Sequence, residues 1–176
     1  MRFPIEQVWI DDEAADEPLT EEVLGRIDHA QVQVLRGREV YEANRALAVE
    51  ADPLRRGKRI LKLLKHKGPF LKPCPGTREY VCCALKILHV GQGCPMDCRY
   101  CALQVYFNRP SLELFVNSGD LLDELNRVLD RDKKTFHRIC TGEFTDSLAL
   151  DPLTGFASTL VTFFSQQAGA SLELKT

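Results

Sequence analysis

Three cysteines stand close together near the middle of the chain, in the stretch GQGCPMDCRYCALQ at residues 91–104. Three residues separate Cys94 from Cys98, and two separate Cys98 from Cys101. Cysteine thiolates are the usual ligands of iron–sulfur clusters. In a cubane cluster of four irons, three local thiolates leave one iron without a protein ligand, which is the open position that catalytic metal sites keep. The spacing is therefore compatible with a cluster that binds a small ligand directly.

Other uses of these thiols stay open at this point. A structural zinc site normally needs a second ligand pair at a distance, and the candidates for it are Cys82, Cys83, His66 and His89. A ferredoxin run needs four cysteines, a thioredoxin-like CxxC pair does not need Cys94, and inert core thiols can cluster by chance. The chain has an odd number of cysteines, seven, and no recognisable signal peptide, which argues against a disulfide framework.

Composition sets the broad class. The chain has 176 residues, of which 44% are hydrophobic, and a formal net charge of −2. This length suits one domain or slightly more, and the charge does not by itself predict a polyanionic partner. No stretch approaches the ~18–20 apolar residues of a membrane span. We therefore expect a cytoplasmic protein that does not contact the membrane.

Residues 55–72 form a basic run that contains no acid. Ile60, Leu61 and Leu64 are interleaved at helical spacing, so we predict a basic amphipathic helix. Its polar side would be either a solvated face or a patch that contacts phosphates. The basic residues are Arg55, Arg56, Lys58, Arg59, Lys62, Lys65, Lys67 and Lys72.

The elements that must position the cysteines are predicted from hydrophobic periodicity. An apolar strand over Tyr80–Val90 precedes the cysteine loop, and a helix over 118–130 follows it. A strand at 136–140, a helix from Asp151 to near Gly169 and a strand at 171–175 complete the order. Alternating strands and helices predict parallel βαβ units and an α/β fold.

The first part of the chain is harder to assign. Short strands are predicted there at Gln7–Ile10 and Gln31–Leu35, and another short strand is predicted in the second part at 112–116. We divide the chain into a mixed α+β region with the basic helix at 1–76 and a series of βα units at 77–176, the break being the Pro- and Gly-rich segment around residues 68–76. Because three parallel strands are few for a barrel, we expect an incomplete barrel from the N-terminal part of a longer protein.

The segment CPMDCRYC resembles the Cx3CxΦC motif of radical S-adenosylmethionine (SAM) enzymes, with Tyr100 at the aromatic position. Residues 57–176 more narrowly resemble spore photoproduct lyase and its DNA-photolyase-like relatives. The resemblance rests on HKGPFLKPCPG, CPMDCRYCALQ, LELFVN, ICTGEFTDSLALDPLTGF and LELKT. It implies the start of a partial (β/α) radical-SAM barrel with parallel strands.

The resemblance also implies roles for individual residues. Cys94, Cys98 and Cys101 would ligate a [4Fe-4S] cluster, and the amino and carboxylate groups of SAM would chelate the open iron. The SAM-binding residues would be Tyr100 near the adenine, the glycine–glutamate motif at Gly142 and Glu143, the hydroxyl–acid pair at Thr145 and Asp146, and Lys175 facing the SAM carboxylate.

Cys140 is the candidate catalytic residue that the resemblance implies. In spore photoproduct lyase a cysteine just after the second strand donates a hydrogen atom to a substrate radical, and Cys140 lies at a matching place here. The sequence departs from the family because Gly142, Glu143 and Phe144 intervene before the Thr-Asp pair. The alternative is a buried strand cysteine of the core.

The implied function is that of a radical SAM carbon–carbon lyase. Such an enzyme generates a 5′-deoxyadenosyl radical and reverses UV-generated thymine dimers in DNA. Its partners would be UV-damaged DNA and an electron donor such as a flavodoxin or a ferredoxin. The alternatives are a radical SAM enzyme with another substrate, and a non-catalytic fragment that binds an iron–sulfur cluster or nucleic acid.

Overall fold

The computed structural model describes residues 5–27, 30–76, 79, 81, 83–96, 98–102, 106 and 109–176. The chain divides into two compact units, one made of residues 1–66 and 91–117 and the other of residues 67–90 and 118–176. These units interleave along the sequence, whereas the expected domains at 1–76 and 77–176 divide it once; that division stays a prediction. Within the described ranges, no helix is long and apolar enough to cross a membrane.

The strands and helices of the described residues are as follows. The strands are β1 (Gln7–Asp11), β2 (Gln31–Leu35), β3 (Ile60–Leu64), β4 (Leu71–Pro73), β5 (Lys86–Leu88), β6 (Gly91–Gln92), β7 (Leu112–Phe115), β8 (His137–Thr141) and β9 (Ala170–Leu174). The helices are α1 (Pro18–Arg26), α2 (Arg38–Ala48), α3 (Pro53–Gly57), α4 (Ser118–Arg131), α5 (Asp151–Thr154) and α6 (Phe156–Ser165).

The first unit is built on a five-stranded sheet with the order β2-β1-β3-β7-β6. All its neighbouring pairs are parallel except β6 with β7. The predicted strands at 7–10, 31–35 and 112–116 are confirmed. In this mixed region helices α1 to α3 connect parallel strands, so its helices and strands have an α/β arrangement. The strand at 112–116 also joins this sheet rather than the one that follows.

The predicted basic helix over residues 55–72 is wrong. Helix α3 ends at Gly57, and strand β3 occupies Ile60–Leu64. A short apolar run fits a strand as well as a helix, and here the pairing with β1 on one side and β7 on the other decides the outcome. Four of the five residues of β3 are buried, as expected for a central parallel strand.

The second unit is built on a four-stranded sheet with the order β4-β5-β8-β9. The pairs β5–β8 and β8–β9 are parallel, which confirms the predicted βαβ units. The predicted strand over Tyr80–Val90 is too long, because β5 spans only Lys86–Leu88. Ala84 has a φ of 58°, which breaks the extended backbone before β5. Tyr80 and Cys82 lie outside the described residues.

The helix predicted from Asp151 to near Gly169 is two helices. Gly155 adopts the left-handed conformation, with a φ of 62°, and ends α5 before α6 begins. The carboxylate of Asp151 accepts a hydrogen bond from the amide of Ala157 at 2.6 Å, across this break. The apolar residues at helical spacing are buried in the core: Leu153, Phe156, Leu160 and Phe164.

Candidate functional site

The cysteine loop starts from a pair of short antiparallel strands in the first unit. Strand β6 pairs with β7 so that Gly91 lies opposite Leu114 and Gln92 lies opposite Glu113. A Cβ atom at Gly91 would come within 2.3 Å of the Glu113 carbonyl oxygen, so this close approach of two backbones requires glycine. The next residue but one, Gly93, has a φ of 80°, which turns the chain into the loop.

The three cysteines of the loop line one pocket. Cys94, Cys98 and Cys101 are each partly buried, and all three contribute to its wall. The Met96 amide lies 3.4 Å from the Cys94 sulfur, and the Cys101 amide donates to the Cys98 carbonyl at 3.0 Å. These local bonds fold the loop so that the thiols share one space.

Two cations also line this pocket. The Lys58 ammonium donates to the Met96 carbonyl at 2.7 Å, inside the cysteine loop. The Arg109 guanidinium lies 3.4 Å from a carboxylate oxygen of Glu113. Positive charge in the wall of a pocket favours a negatively charged group bound there. The electrostatics therefore suit an anionic group held by the three sulfurs.

The donor set fits an iron–sulfur cluster in its chemistry. None of the six described cysteines, the three of the loop included, forms a disulfide. Within the described residues no group of three or more His, Cys, Asp or Glu side chains is arranged to hold a metal ion. The three loop cysteines nevertheless line one pocket, and their assignment as cluster ligands stays a prediction. Tyr100, in the same loop, is 91% exposed.

A second group of candidate residues meets in the second unit, where β8 and β9 end. The Lys175 ammonium lies 2.8 Å from the Glu143 carboxylate. The Lys175 amide donates to the Ser147 hydroxyl at 2.9 Å, and that hydroxyl lies 2.7 Å from the hydroxyl of Thr141. Three of the predicted residues, Gly142, Glu143 and Lys175, are therefore packed together by the fold.

Gly142 stands where this arrangement is tightest. Its φ is 85°, and a Cβ atom there would lie 2.6 Å from both the Lys175 carbonyl oxygen and the Ser147 hydroxyl oxygen. Only glycine fits both the backbone angle and the space. The glycine of the predicted glycine–glutamate motif therefore has a local structural reason.

The predicted hydroxyl–acid pair divides into two different environments. One carboxylate oxygen of Asp146 accepts from the amides of Leu148 and Ala149, at 2.9 and 2.7 Å, and so organises the turn after β8. The hydroxyl oxygen of Thr145 is buried and has no hydrogen-bond partner among the described residues. A buried, unsatisfied hydroxyl is costly and needs an explanation, for which a bound ligand is one candidate.

Cys140 is fully buried in β8, where it lies opposite Ile87 of β5 and Glu173 of β9. Burial raises the pKa of its thiol, and the nearby Lys175 ammonium opposes that shift. The ion pair with Glu143 in turn raises the pKa of Lys175. The thiol therefore keeps its S–H bond at neutral pH. This environment suits a hydrogen-atom donor and a core cysteine equally.

Four of the eight basic residues of the run at 55–72 pair with acids of the first unit. The Glu6 carboxylate pairs with both Arg56 and Arg59. The Lys65 ammonium lies 2.6 Å from the Glu17 carboxylate. Lys62 is buried beside Glu113. These internal ion pairs argue against an open phosphate-contacting patch. The sequence alone did not reveal them.

Sequence reasoning missed the charged residues that support the cysteine loop. Lys58 was counted only as part of the basic run, and Arg109 and Glu113 were not singled out. A glutamate within the otherwise apolar stretch LELFV was the available signal, because a buried acid requires a partner. Its partners come from distant positions and are visible only in the fold.

Comparisons with known proteins agree with the predicted resemblance. A family model for spore photoproduct lyase matches residues 3–176. A comparison with curated proteins found no match. Among solved structures, a spore photoproduct lyase mutant with dinucleoside spore photoproduct is similar, with a TM-score of 0.80 at 18% identity. The corresponding complex of spore photoproduct lyase gives 0.78, and a double mutant with bound AdoMet and the dinucleoside gives 0.75, both at 18% identity.

In each of these three comparisons the match covers 98% of this chain and 49% of the solved chain. The chain therefore spans about half the length of the structures that it matches. At this level of identity the likeness shows the fold, and it confirms the predicted α/β architecture with parallel strands.

Proposed function

The chain belongs to the spore photoproduct lyase family, and we propose that it carries the cluster- and SAM-binding part of a radical SAM carbon–carbon lyase. The substrate is a UV-generated thymine dimer in DNA. The observation that carries this proposal is the pocket shared by Cys94, Cys98 and Cys101, with Lys58 and Arg109 in its wall. Three thiols and two cations match the charge and the ligand preference of an iron–sulfur cluster.

A [4Fe-4S] cluster bound by the three cysteines would bind SAM at its open iron and, when reduced, supply the electron that releases a 5′-deoxyadenosyl radical. The protein's part is to hold the cysteines in one pocket, through the tight β6–β7 stem and the bond from Lys58 to the loop. Tyr100, in the same loop, is assigned to the adenine.

The residues around the ends of β8 and β9 are assigned to the amino-acid end of SAM. This end is zwitterionic, and the Lys175–Glu143 pair offers a cation and an anion to it. The side chains of Lys175 and Glu143 are partly exposed, at 43% and 30%. Each can therefore bind a charged group of the ligand in place of its present partner. The buried hydroxyl of Thr145, which has no hydrogen-bond partner among the described residues, supplies a further donor. Asp146, the other member of the predicted pair, lies in the same turn and accepts from the amide of Ala149.

Cys140 is assigned the return of a hydrogen atom to the substrate radical. The transfer breaks its S–H bond, forms a C–H bond on the substrate and leaves a thiyl radical. Burial keeps the thiol protonated, as this step requires. A flavodoxin or a ferredoxin is the proposed electron donor. The loop cysteines form no disulfide, which suits a reducing compartment, and we propose the cytoplasm.

Anaerobic reconstitution of the chain with iron and sulfide tests the core of this proposal. We expect a cubane EPR signal after reduction, and a change of that signal on addition of SAM. Cys94→Ala should lose the signal, whereas Cys83→Ala, which removes an exposed cysteine of the other unit, should retain it. Zinc in place of iron, or a Cys94→Ala variant that retains the full signal, would overturn the proposal.

A radical SAM enzyme that acts on another substrate is the second candidate. The internal pairing of Arg56, Arg59 and Lys65 favours it, because this pairing removes the sequence feature that pointed to phosphate contacts. Addition of DNA that contains thymine dimers to the reconstituted, SAM-responsive protein separates the two. Dimer loss above the level of a SAM-free control supports the first candidate.

A further inference from the structure

A buried ionic network joins the two sides of the cysteine loop. Glu113 is almost completely buried in β7, and one of its carboxylate oxygens accepts from the side-chain amide of Gln92. The other oxygen lies 3.4 Å from Arg109 and 3.3 Å from the ammonium of Lys62. Gln92 is the last residue before the loop, and Arg109 lies where the loop returns to β7. One carboxylate therefore holds both ends.

Lys62 is the counter-ion that makes this buried carboxylate tolerable. Its side chain is 1% exposed. Its ammonium donates to the side-chain oxygen of Asn44 and lies 5.7 Å from the centre of the Trp9 ring. The ammonium is thus surrounded by a carboxylate, an amide oxygen and an aromatic face. A buried charge is sustainable only with such complete pairing.

The energetic role of this pair follows from its position. A buried ion pair contributes little net stability, because desolvation of the two charges offsets their attraction. An apolar pair would fill the same strands β3 and β7 without that cost. What an apolar residue at position 113 could not do is accept hydrogen bonds from Gln92 and Arg109 at once.

We propose that Glu113 is a positioning residue for the cysteine pocket: it fastens both ends of the cysteine loop, with Lys62 as its buried counter-ion. This inference rests on the proposed function for its link to the cluster. Glu113 acts in two ways. It fixes where the loop leaves and re-enters the sheet, and it holds the Arg109 guanidinium in the wall of the pocket, beside the sulfurs.

The first test uses the full 176-residue chain without metal. Alkylation of each cysteine is followed by mass spectrometry over time. Arg109→Met should raise the alkylation rates of the three loop cysteines about two- to fivefold, the range expected for the loss of a partly exposed ion pair. Arg109→Lys should keep most of the wild-type protection, and the exposed Cys83 should react at an unchanged rate throughout.

Arg38→Met is the matched control for this variant. Arg38 also pairs with a glutamate, Glu42, in the same unit, and its side chain is 88% exposed. Its replacement should leave the loop cysteines unaffected. Equal alkylation rates in Arg109→Met and Arg38→Met would overturn the proposal.

The second test separates positioning from general stability. Glu113→Gln should raise loop alkylation about tenfold, since hydrogen bonds to charged groups are the stronger ones, and it should lower the midpoint of thermal unfolding. Lys62→Met added to it removes the unpaired buried ammonium, so the midpoint should recover while the loop stays reactive. If the double variant recovered both the wild-type unfolding midpoint and the wild-type alkylation rates, Glu113 would serve only stability, and the proposal would be overturned.

A spectroscopic measurement completes the design. When both proteins are loaded with iron and sulfide, the double variant Lys62→Met with Glu113→Gln should give a broader cluster EPR signal than the wild type, because the loop is no longer fixed. The alkylation experiments need no cluster. A wild-type chain that takes up no cluster but shows the expected alkylation pattern would count against the proposed function and leave the positioning role supported.

Discussion

The ammonium of Lys175 lies 2.8 Å from the carboxylate of Glu143, and the backbone amide of Lys175 donates to the hydroxyl of Ser147. Side chain and main chain of one residue therefore join the segment after β9 to the turn after β8. Because both charged groups are partly exposed, the ion pair itself contributes little to stability. The pair instead offers a cation and an anion that can bind the two charged groups of a zwitterionic ligand.

Lys175→Met should weaken SAM binding without unfolding the protein. The substitution keeps the backbone bond to Ser147 and removes only the cation for the SAM carboxylate. We expect an affinity loss of about tenfold or more, the size of one lost charge-assisted hydrogen bond. Titration of the EPR change with SAM measures it. The matched control is Lys133→Met, which removes an exposed lysine paired with Asp130 elsewhere in the unit. Equal affinity in both variants would contradict the assignment.

Asp146→Asn distinguishes a structural role from a ligand-binding one. The amide oxygen of asparagine can still accept from the amides of Leu148 and Ala149, so the unfolding free energy should stay within about 0.5 kcal/mol of wild type. Asp146→Ala loses both bonds and should cost about 1–2 kcal/mol. A weaker response to SAM in Asp146→Asn would show that the charge of Asp146 contacts the ligand. An unchanged response would limit Asp146 to the turn.

Gly142→Ala should destabilise the second unit strongly. Its Cβ would clash with the Lys175 carbonyl, and a positive φ is strained for alanine, so we expect a loss of more than about 1–3 kcal/mol in chemical denaturation. Gly119→Ala is the control in the same unit. Gly119 lies in α4 with open space around it, so alanine there should stabilise by about 0.5–1 kcal/mol. Similar effects from the two substitutions would contradict this account of Gly142.

The strands that were predicted well have a sequence pattern that fits a strand and no other element. Residues 7–10 and 31–35 are short β-rich runs with polar flanks, and the register of β1 with β2 agrees with them. The parallel βαβ order of the second unit followed from alternation alone. The close spacing of the three loop cysteines predicted a shared site, and the structure places all three in the wall of one pocket.

The errors of the sequence analysis have a common physical cause. Ile60–Leu64 satisfies a helical and an extended pattern equally, and its state is decided by β1 and β7, which are distant in sequence. The charge of Lys62 was predicted to lie on a polar face, because the sequence alone does not report burial, and the structure buries it beside Glu113. Ala84, with its positive φ, interrupts a run that composition alone reads as a continuous strand.

Cys140 should make stability depend on pH in the alkaline range. Burial raises the pKa of its thiol above the value in the unfolded chain, so the folded state favours the protonated form. Stability from this group is complete below the unfolded pKa, about 8.5, and is lost as the pH rises towards the folded pKa. We expect the unfolding free energy of the wild type to fall, relative to that of Cys140→Ala, as the pH rises above the unfolded value of about 8.5. Cys83→Ala, which removes an exposed thiol, should retain the wild-type dependence. Denaturant titrations at a series of pH values compare the three proteins, and parallel curves for Cys140→Ala and wild type would contradict a buried, protonated thiol.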